Sequence, residues 1–384
     1  MLRLFLLLIL IIIIVLIVLK LMQPQKKYLN YNSTYLSGGY YNPSDSAYPE
    51  ISKLNETEEH VKDFIKKYVH TDDDAEVIFT SGATEAIANC MFWAKSYNQY
   101  GKVVGSRLDH DSVKLNAQNM EIEYDSIDVD KESISLPTNT SMVFITHVGP
   151  RTGEIYPIDK LPNEKYLNEE IHDDDETTTQ IVKQYRPIKV ADVTQSIGKM
   201  KIDMDRHGLN AVFFSLHKLS GDYNCGVLVV RDSTDCPFKP LIAGHQQKGM
   251  RGGTYNSYSY LNLKRLINAY EKDFDYKSCK KTWTEAVREF KKAGLEVVEP
   301  TLDHMYNTIL IKRKGCSVGL INELAEKGIY IGASTACNTK NKDTYIRISF
   351  ISGEQLDKKT MYRIIDCIKK YDKHSDDDSS SEDD

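Results

Sequence analysis

The 384-residue sequence lacks several features that would place it in a common class. It has no Cys-x-x-Cys pair. Its seven cysteines, at 90, 225, 236, 279, 316, 337 and 367, are scattered and odd in number. That pattern is a poor disulfide framework and a poor zinc site, and it fits free thiols in a reducing compartment. No basic stripe with interleaved aromatics is present, so nothing points to a nucleic-acid partner. There is no internal repeat. The net charge is only −6, from 49 basic and 55 acidic residues. Part of that excess lies in the tail from Asp376 to Asp384, a self-repelling run expected to be unfolded. With 27% charged residues and an ordinary apolar fraction, the rest reads as a globular enzyme-sized chain.

The one long hydrophobic run is at the N-terminus. Leu4 to Leu19 is unbroken aliphatic and aromatic. At the helical rise it spans about 24 Å, slightly short of a roughly 30 Å hydrocarbon core, and Lys20 can snorkel to extend it. No small-x-small cleavage site follows, so the run is expected to be a retained single-pass membrane anchor over 1–22 rather than a signal peptide. Lys20, Lys26 and Lys27 outnumber Arg3, which puts the remaining chain on the cytosolic side.

Residues 23–50 are rich in Tyr, Asn, Ser, Gly and Pro and read as extended chain and turns. A helical pattern follows from Ile51 to Tyr68. Glu76–Thr80 reads as a strand, Glu85 to Tyr97 as a helix, and Val103-Val104 and Met142–Thr146 as further strands. The alternation predicts an α/β fold with a mostly parallel sheet flanked by helices, in a large domain over 51–260. A low-complexity insert at 168–179, containing His172-Asp173-Asp174-Asp175-Glu176, reads as a solvated loop. A long helical stretch from Leu261 to Phe290 leads into a smaller α/β domain over 261–371, with strands near Thr308–Ile311 and Tyr345–Ser349, and then the tail over 372–384.

The chemistry concentrates in two blocks. Ile188–Asp192 is an apolar strand ending in a carboxylate, within Ala191-Asp192-Val193-Thr194-Gln195. Ala211–Ser215 is a second strand leading into Leu216-His217-Lys218. In open α/β sheets ligands bind at the carboxyl ends of strands. A lysine amine and a carboxylate there suit pyridoxal 5′-phosphate (PLP). The amine forms a Schiff base with the aldehyde, and the carboxylate keeps the ring nitrogen protonated so the ring acts as an electron sink. Asp192 and Lys218 suit those tasks. Ser81-Gly82-Ala83-Thr84 falls between a strand and a helix, where backbone N–H groups and a glycine favour phosphate.

Together these segments, with Thr80–Ala86 and Arg251-Gly252-Gly253-Thr254, resemble the class V aminotransferase group of fold-type I PLP enzymes, and within it the NifS/IscS-type cysteine desulfurases. The resemblance spans about Tyr28 to Tyr371. It implies that Ala83, Thr84, Ser215 and His217 hold the PLP phosphate. It implies that Gln195 bonds the ring hydroxyl oxygen and that His110 stacks over the ring and moves protons. Thr254 resembles a threonine that reaches the phosphate of a neighbouring subunit, which implies a homodimer. Ala333-Ser334-Thr335-Ala336-Cys337 resembles the segment carrying the sulfur-accepting nucleophile, so Cys337 is the expected thiolate. Its polar flank with Lys340 and Lys342 suits a reactive thiol. Cys225, near Lys218 in sequence, is the other candidate. Arg347 resembles the arginine that clamps the substrate carboxylate. L-cysteine is then the substrate, L-alanine and a persulfide on Cys337 the products, with a sulfur-acceptor protein as a further partner.

The chain departs from the family where Gly149-Pro150-Arg151 replaces Asn-Asn-Glu, removing an asparagine that contacts the ring, and where the segment between Cys337 and Arg347 is shortened. Two alternatives stay open on sequence: another class V aminotransferase or lyase, and a catalytically weak, membrane-tethered relative.

Overall fold

The computed structural model describes residues 2–22, 49–106, 109–128, 134–161, 166–174, 177–231, 236–314, 318–335 and 343–379. The chain divides into two units, Met1–Leu54 and Asn55–Asp384.

The first unit contains helix α1 (Leu2–Met22), whose described side chains are exposed. Among the described residues, no helix is long and apolar enough to cross a membrane. The apolar run Leu4–Leu19 rises about 24 Å, short of the roughly 30 Å of a hydrocarbon core. The expected transmembrane anchor, and with it the single-pass membrane location, is therefore corrected. The extended segment expected before the first domain lies outside the described residues, apart from the start of α2 (Pro49–Tyr68).

Along the second unit the elements alternate: β1 (Glu76–Thr80), α3 (Ala83–Tyr97), β2 (Lys102–Ser106), α4 (Asp111–Asn119), β3 (Tyr124–Ile127) and β4 (Thr140–Thr146). Then come β5 (Tyr166–Asp174), β6 (Thr177–Tyr185), β7 (Ile188–Asp192), α5 (Met204–His207), β8 (Ala211–Ser215) and β9 (Gly226–Val230). Seven strands form one sheet in the order β1-β9-β8-β7-β4-β2-β3. Pairing is parallel from β8 through to β3, and only β9 runs antiparallel to its neighbours.

The central strands are apolar at nearly every position because both sheet faces are covered. Val143, Ile145, Val212, Phe214 and Val227 pack on one face with α2, and Met142, Phe144, Phe213 and Leu228 pack on the other with α3. The carboxyl ends of β1, β4, β7 and β8 all point the same way. They carry Ser81-Gly82, Thr146, Asp192 and Ser215 to one edge.

The smaller region follows: α6 (Ser257–Leu261), α7 (Leu263–Asp273), α8 (Tyr276–Lys292), β10 (Glu296–Val298), β11 (Thr308–Lys314), α9 (Val318–Glu326), β12 (Gly332–Thr335), β13 (Asp343–Ser349) and α10 (Lys358–Ser379). Its four strands form an antiparallel sheet, β10-β11-β13-β12. Ile309, Ile311, Ile346 and Ile348 pack there against Phe290 and Leu324.

Three local expectations are corrected. The stretch 261–290 is not one helix. The backbone opens at Phe274-Asp275, and the Asp275 carboxylate restarts α8 by accepting the Ser278 N–H at 3.0 Å. The acidic insert is not a loop but an antiparallel hairpin, β5 with β6. Finally, α10 continues to Ser379, so the acidic run predicted to be unfolded begins inside a helix.

Candidate active site

A cavity of about 860 Å³ opens at the carboxyl edge of the large sheet and reaches β13 of the small one. It is lined by Ala83, Thr84, His110, Asp192, Gln195, Ser215, His217, Lys218 and Arg347 together. These nine residues span more than 260 positions of sequence. Thr254 is exposed and lies outside the lining. Cys337 lies outside the described residues.

Glycines shape the phosphate end. Thr80 and Ser215 flank Gly226 in the register of β1, β9 and β8. A Cβ on Gly226 would sit 2.3 Å from Thr80 Oγ1 and 2.4 Å from the Gly82 carbonyl carbon. Gly226 thus lets the strand-to-helix turn settle against β9. A Cβ on Gly82 would meet nothing within 4 Å, because that position faces open space. No side chain caps α3 there, which leaves first-turn N–H groups for an anion. Ser215 Oγ and His217 Nδ1 lie 2.7 Å apart at the same cavity. Burial and then the neighbouring Lys218 charge push the His217 imidazole below its ordinary range.

Behind this turn, Glu85 and Arg251 form a bidentate pair. Arg251 Nε donates to Glu85 Oε1 at 2.8 Å and Nη2 donates to Oε2 at 3.1 Å. The Ser81 N–H also donates to Glu85 Oε2, at 2.8 Å. Burial raises the Glu85 carboxyl, but the guanidinium and Ser81 outweigh it and hold it below the usual range. The Arg251-Gly252-Gly253-Thr254 loop is thereby tied to the first turn of α3.

At the other end, burial pushes the Asp192 carboxyl up. The Thr194 N–H, donating to Oδ1 at 2.8 Å, and the charges of His110 and Lys218 counter that. A buried carboxylate held beside cations suits a partner for a protonated ring nitrogen. Asp109 was not singled out from sequence. Its carboxylate accepts from Ser106 N–H at 2.7 Å, Thr146 N–H at 2.9 Å and Thr146 Oγ1 at 2.6 Å, joining the ends of β2 and β4. Burial pushes it up to about 7 despite those bonds, and Asp192 adds to the rise. The adjacent His110 caps α4, its Nδ1 accepting from Ser112 N–H at 3.2 Å. By that network a neutral ring carries its proton on Nε2.

Arg347 Nη1 donates to the Pro150 carbonyl at 3.1 Å. The Gly149-Pro150 segment that departs from the family pattern therefore lines the cavity and orients this arginine. Glu154 anchors the same loop by accepting from Thr152 Oγ1 at 2.7 Å and Thr301 N–H at 2.7 Å. Cys225, the second nucleophile candidate, is buried, and burial pushes its thiol up to about 12. A thiol so raised is a poor nucleophile near neutral pH. Thr146 and Lys199 also line the cavity and were missed. Lys199 stands four residues after Gln195, a spacing that places two side chains together on a helix-like turn.

The constellation suits PLP, and comparisons with known proteins identify the family. A profile of the Aminotransferase class-V family matches residues 21–167 and 171–355. The chain belongs to that family, whose members are PLP-dependent. A cysteine desulfurase from Nostoc sp. is 28% identical over 198 residues, covering 48% of this chain and 44% of its own length. The putative cysteine desulfurase IscS 1 of Bacillus subtilis is 25% identical over 313 residues, covering 75% of this chain and 76% of its own. The chain thus spans less than half the length of the first curated relatives it matches. Among solved structures, a NifS-like protein superposes with a TM-score of 0.70 at 19% identity, covering 86% of this chain and 92% of that one. A NifS-like protein from Rickettsia africae gives 0.68 at 19%, with the same coverage. Likeness at that identity shows the fold alone. The residues present fit PLP: a helix start without a side-chain cap, whose N-cap glycine faces open space, with a lysine amine and a buried carboxylate lining the same cavity.

Proposed function

We propose that the protein is a PLP-dependent cysteine desulfurase that converts L-cysteine to L-alanine and transfers the sulfur to Cys337. The observation that carries this reading is the convergence of Lys218, Asp192 and Arg347 on one cavity. PLP supplies an electron sink for charge developing on the substrate carbon.

The chain's own groups do the rest. The α3 start, Ser215 and His217 would hold the phosphate. Asp192 would keep a proton at the ring nitrogen, and Lys218 would carry the cofactor and exchange protons with the substrate. Arg347, already aimed by Pro150, pairs with the substrate carboxylate. The Cys337 thiolate attacks the substrate sulfur. The carbon–sulfur bond breaks, a sulfur–sulfur bond forms on Cys337, and the departing carbon takes a proton, with His110 as a local donor. A sulfur acceptor then discharges the persulfide. Thr254, exposed and tethered through the Arg251 loop, would serve a second subunit in a homodimer.

The test is sulfide and alanine release from L-cysteine by the purified chain. Cys337→Ser should abolish release yet keep the visible absorbance of bound PLP, and Lys218→Ala should remove that absorbance. Alanine or keto-acid formation that survives Cys337→Ser would instead mark another class V chemistry.

A further inference from the structure

Lys199 shares the cavity with Lys218, and three features fix where its ammonium sits. Gly198 has a left-handed φ of 74°, and a Cβ there would lie 2.9 Å from the Tyr270 ring. Only glycine lets the chain turn that closely under the ring. The Lys199 ammonium then stands 5.8 Å from the Tyr270 ring centroid, within cation–π range. It also donates to Gln195 Oε1 at 3.1 Å. The turn is helix-like, with Ile197 N–H bonded to Val193 O at 2.9 Å and Met200 N–H to Ser196 O at 3.1 Å, which brings residues 195 and 199 onto one face.

An ammonium has three donors and no acceptor, so only the carbonyl oxygen of the Gln195 amide can face it. Gln195 lines the cavity, and its amide is planar. With the oxygen held by Lys199, the NH2 is the end left for a ligand. Burial pushes Lys199 down to about 8, so the donor-only form predominates at neutral pH.

We propose that Lys199 is a positioning residue that locks the Gln195 amide with its N–H, not its carbonyl, toward the phenolic oxygen of PLP. The inference rests on the PLP reading above. Without the lock, the amide is free to turn its carbonyl toward that oxygen, exchanging an attractive contact for a repulsive one.

The experiment compares the full chain with Lys199→Met, Lys199→Gln, Lys199→Arg, Gln195→Met and the Lys199→Met/Gln195→Met pair. It reads PLP retention by equilibrium dialysis, the ratio of the visible to the near-ultraviolet band, and thermal midpoints. Lys199→Met should weaken PLP retention about three- to tenfold, the loss of one oriented hydrogen bond, and change the band ratio. Lys199→Arg, another donor-only cation, should restore both. In the Gln195→Met background, Lys199→Met should add no further loss, because its effect passes through Gln195. Unchanged retention and band ratio in Lys199→Met would overturn the proposal, as would an equal further loss in the Gln195→Met background. Loss of fold in both neutral variants would make Lys199 purely structural and overturn it too. A wild-type chain with no Lys218-dependent band would fail differently, sinking the PLP reading itself.

Discussion

Gly226→Ala is the substitution whose consequence the geometry fixes most tightly. Gly226 stands in the middle of a three-strand register, opposite Thr80 on β1 and Ser215 on β8. An added methyl would lie 2.3 Å from Thr80 Oγ1, 2.4 Å from the Gly82 carbonyl carbon and 2.5 Å from its oxygen. Two of those three neighbours are backbone, so a rotamer change cannot relieve the clash. The turn and strand must separate by about 1 Å, an overpacking cost of about 1–3 kcal/mol. The separation falls between the α3 start and Ser215, so it should also widen the phosphate end and reduce PLP affinity by about tenfold or more. Urea denaturation of the PLP-free chain measures the first effect, and a PLP titration followed by absorbance measures the second. The two should move together, since one displacement causes both. Stability within about 0.5 kcal/mol of wild type, or an unchanged PLP affinity, would refute the claim that Gly226 sets the cradle.

Arg251→Met should destabilise by about 2–4 kcal/mol, because it strands a mostly buried Glu85 carboxylate. The same variant should change the acid limb. Glu85 titrates below its ordinary value of 4.5 in the folded chain, so the stability it contributes is present above that value and lost as pH falls through the folded one. Denaturation midpoints across the acid range should therefore fall less steeply in Arg251→Met than in wild type. Cys225 should resist alkylation in the native state at about pH 8, because burial pushes its thiol up to about 12, and should react on unfolding; rapid native labelling read by mass spectrometry would contradict its burial. Arg347→Lys should raise the KM for L-cysteine by about tenfold with a smaller change in kcat, since a point charge replaces a planar fork.

The sequence made the sheet legible and left its fastenings hidden. Glu76–Thr80, Ile188–Asp192 and Ala211–Ser215 match the observed strands residue for residue. Each is a short apolar run covered on both faces, the kind of segment whose pattern is set by burial alone. The acidic insert misled because charge and low complexity suggest solvation, whereas β5 and β6 are held by backbone pairing, which composition does not encode. The break at Asp275 carried a signal, an N-cap aspartate, but the apolar periodicity on both sides masked it.

The site divides along the same line. Asp192, Gln195, His217 and Lys218 announce themselves because one strand end delivers each pair of neighbours. Glu85 and Arg251 meet across 166 positions, and Arg347 meets Pro150 across 197. No spacing rule reaches that far. Lys199 is the intermediate case, four residues from Gln195 and so within reach of a local rule. Its type and position alone do not mark it, because a lysine on a turn is ordinarily solvated. A second amine beside a side-chain amide has a different use: it decides which end of that amide the ligand meets. Residues that carry the chemistry are thus recognised by type and order, while those that aim them are recognised only once a donor is seen against its acceptor.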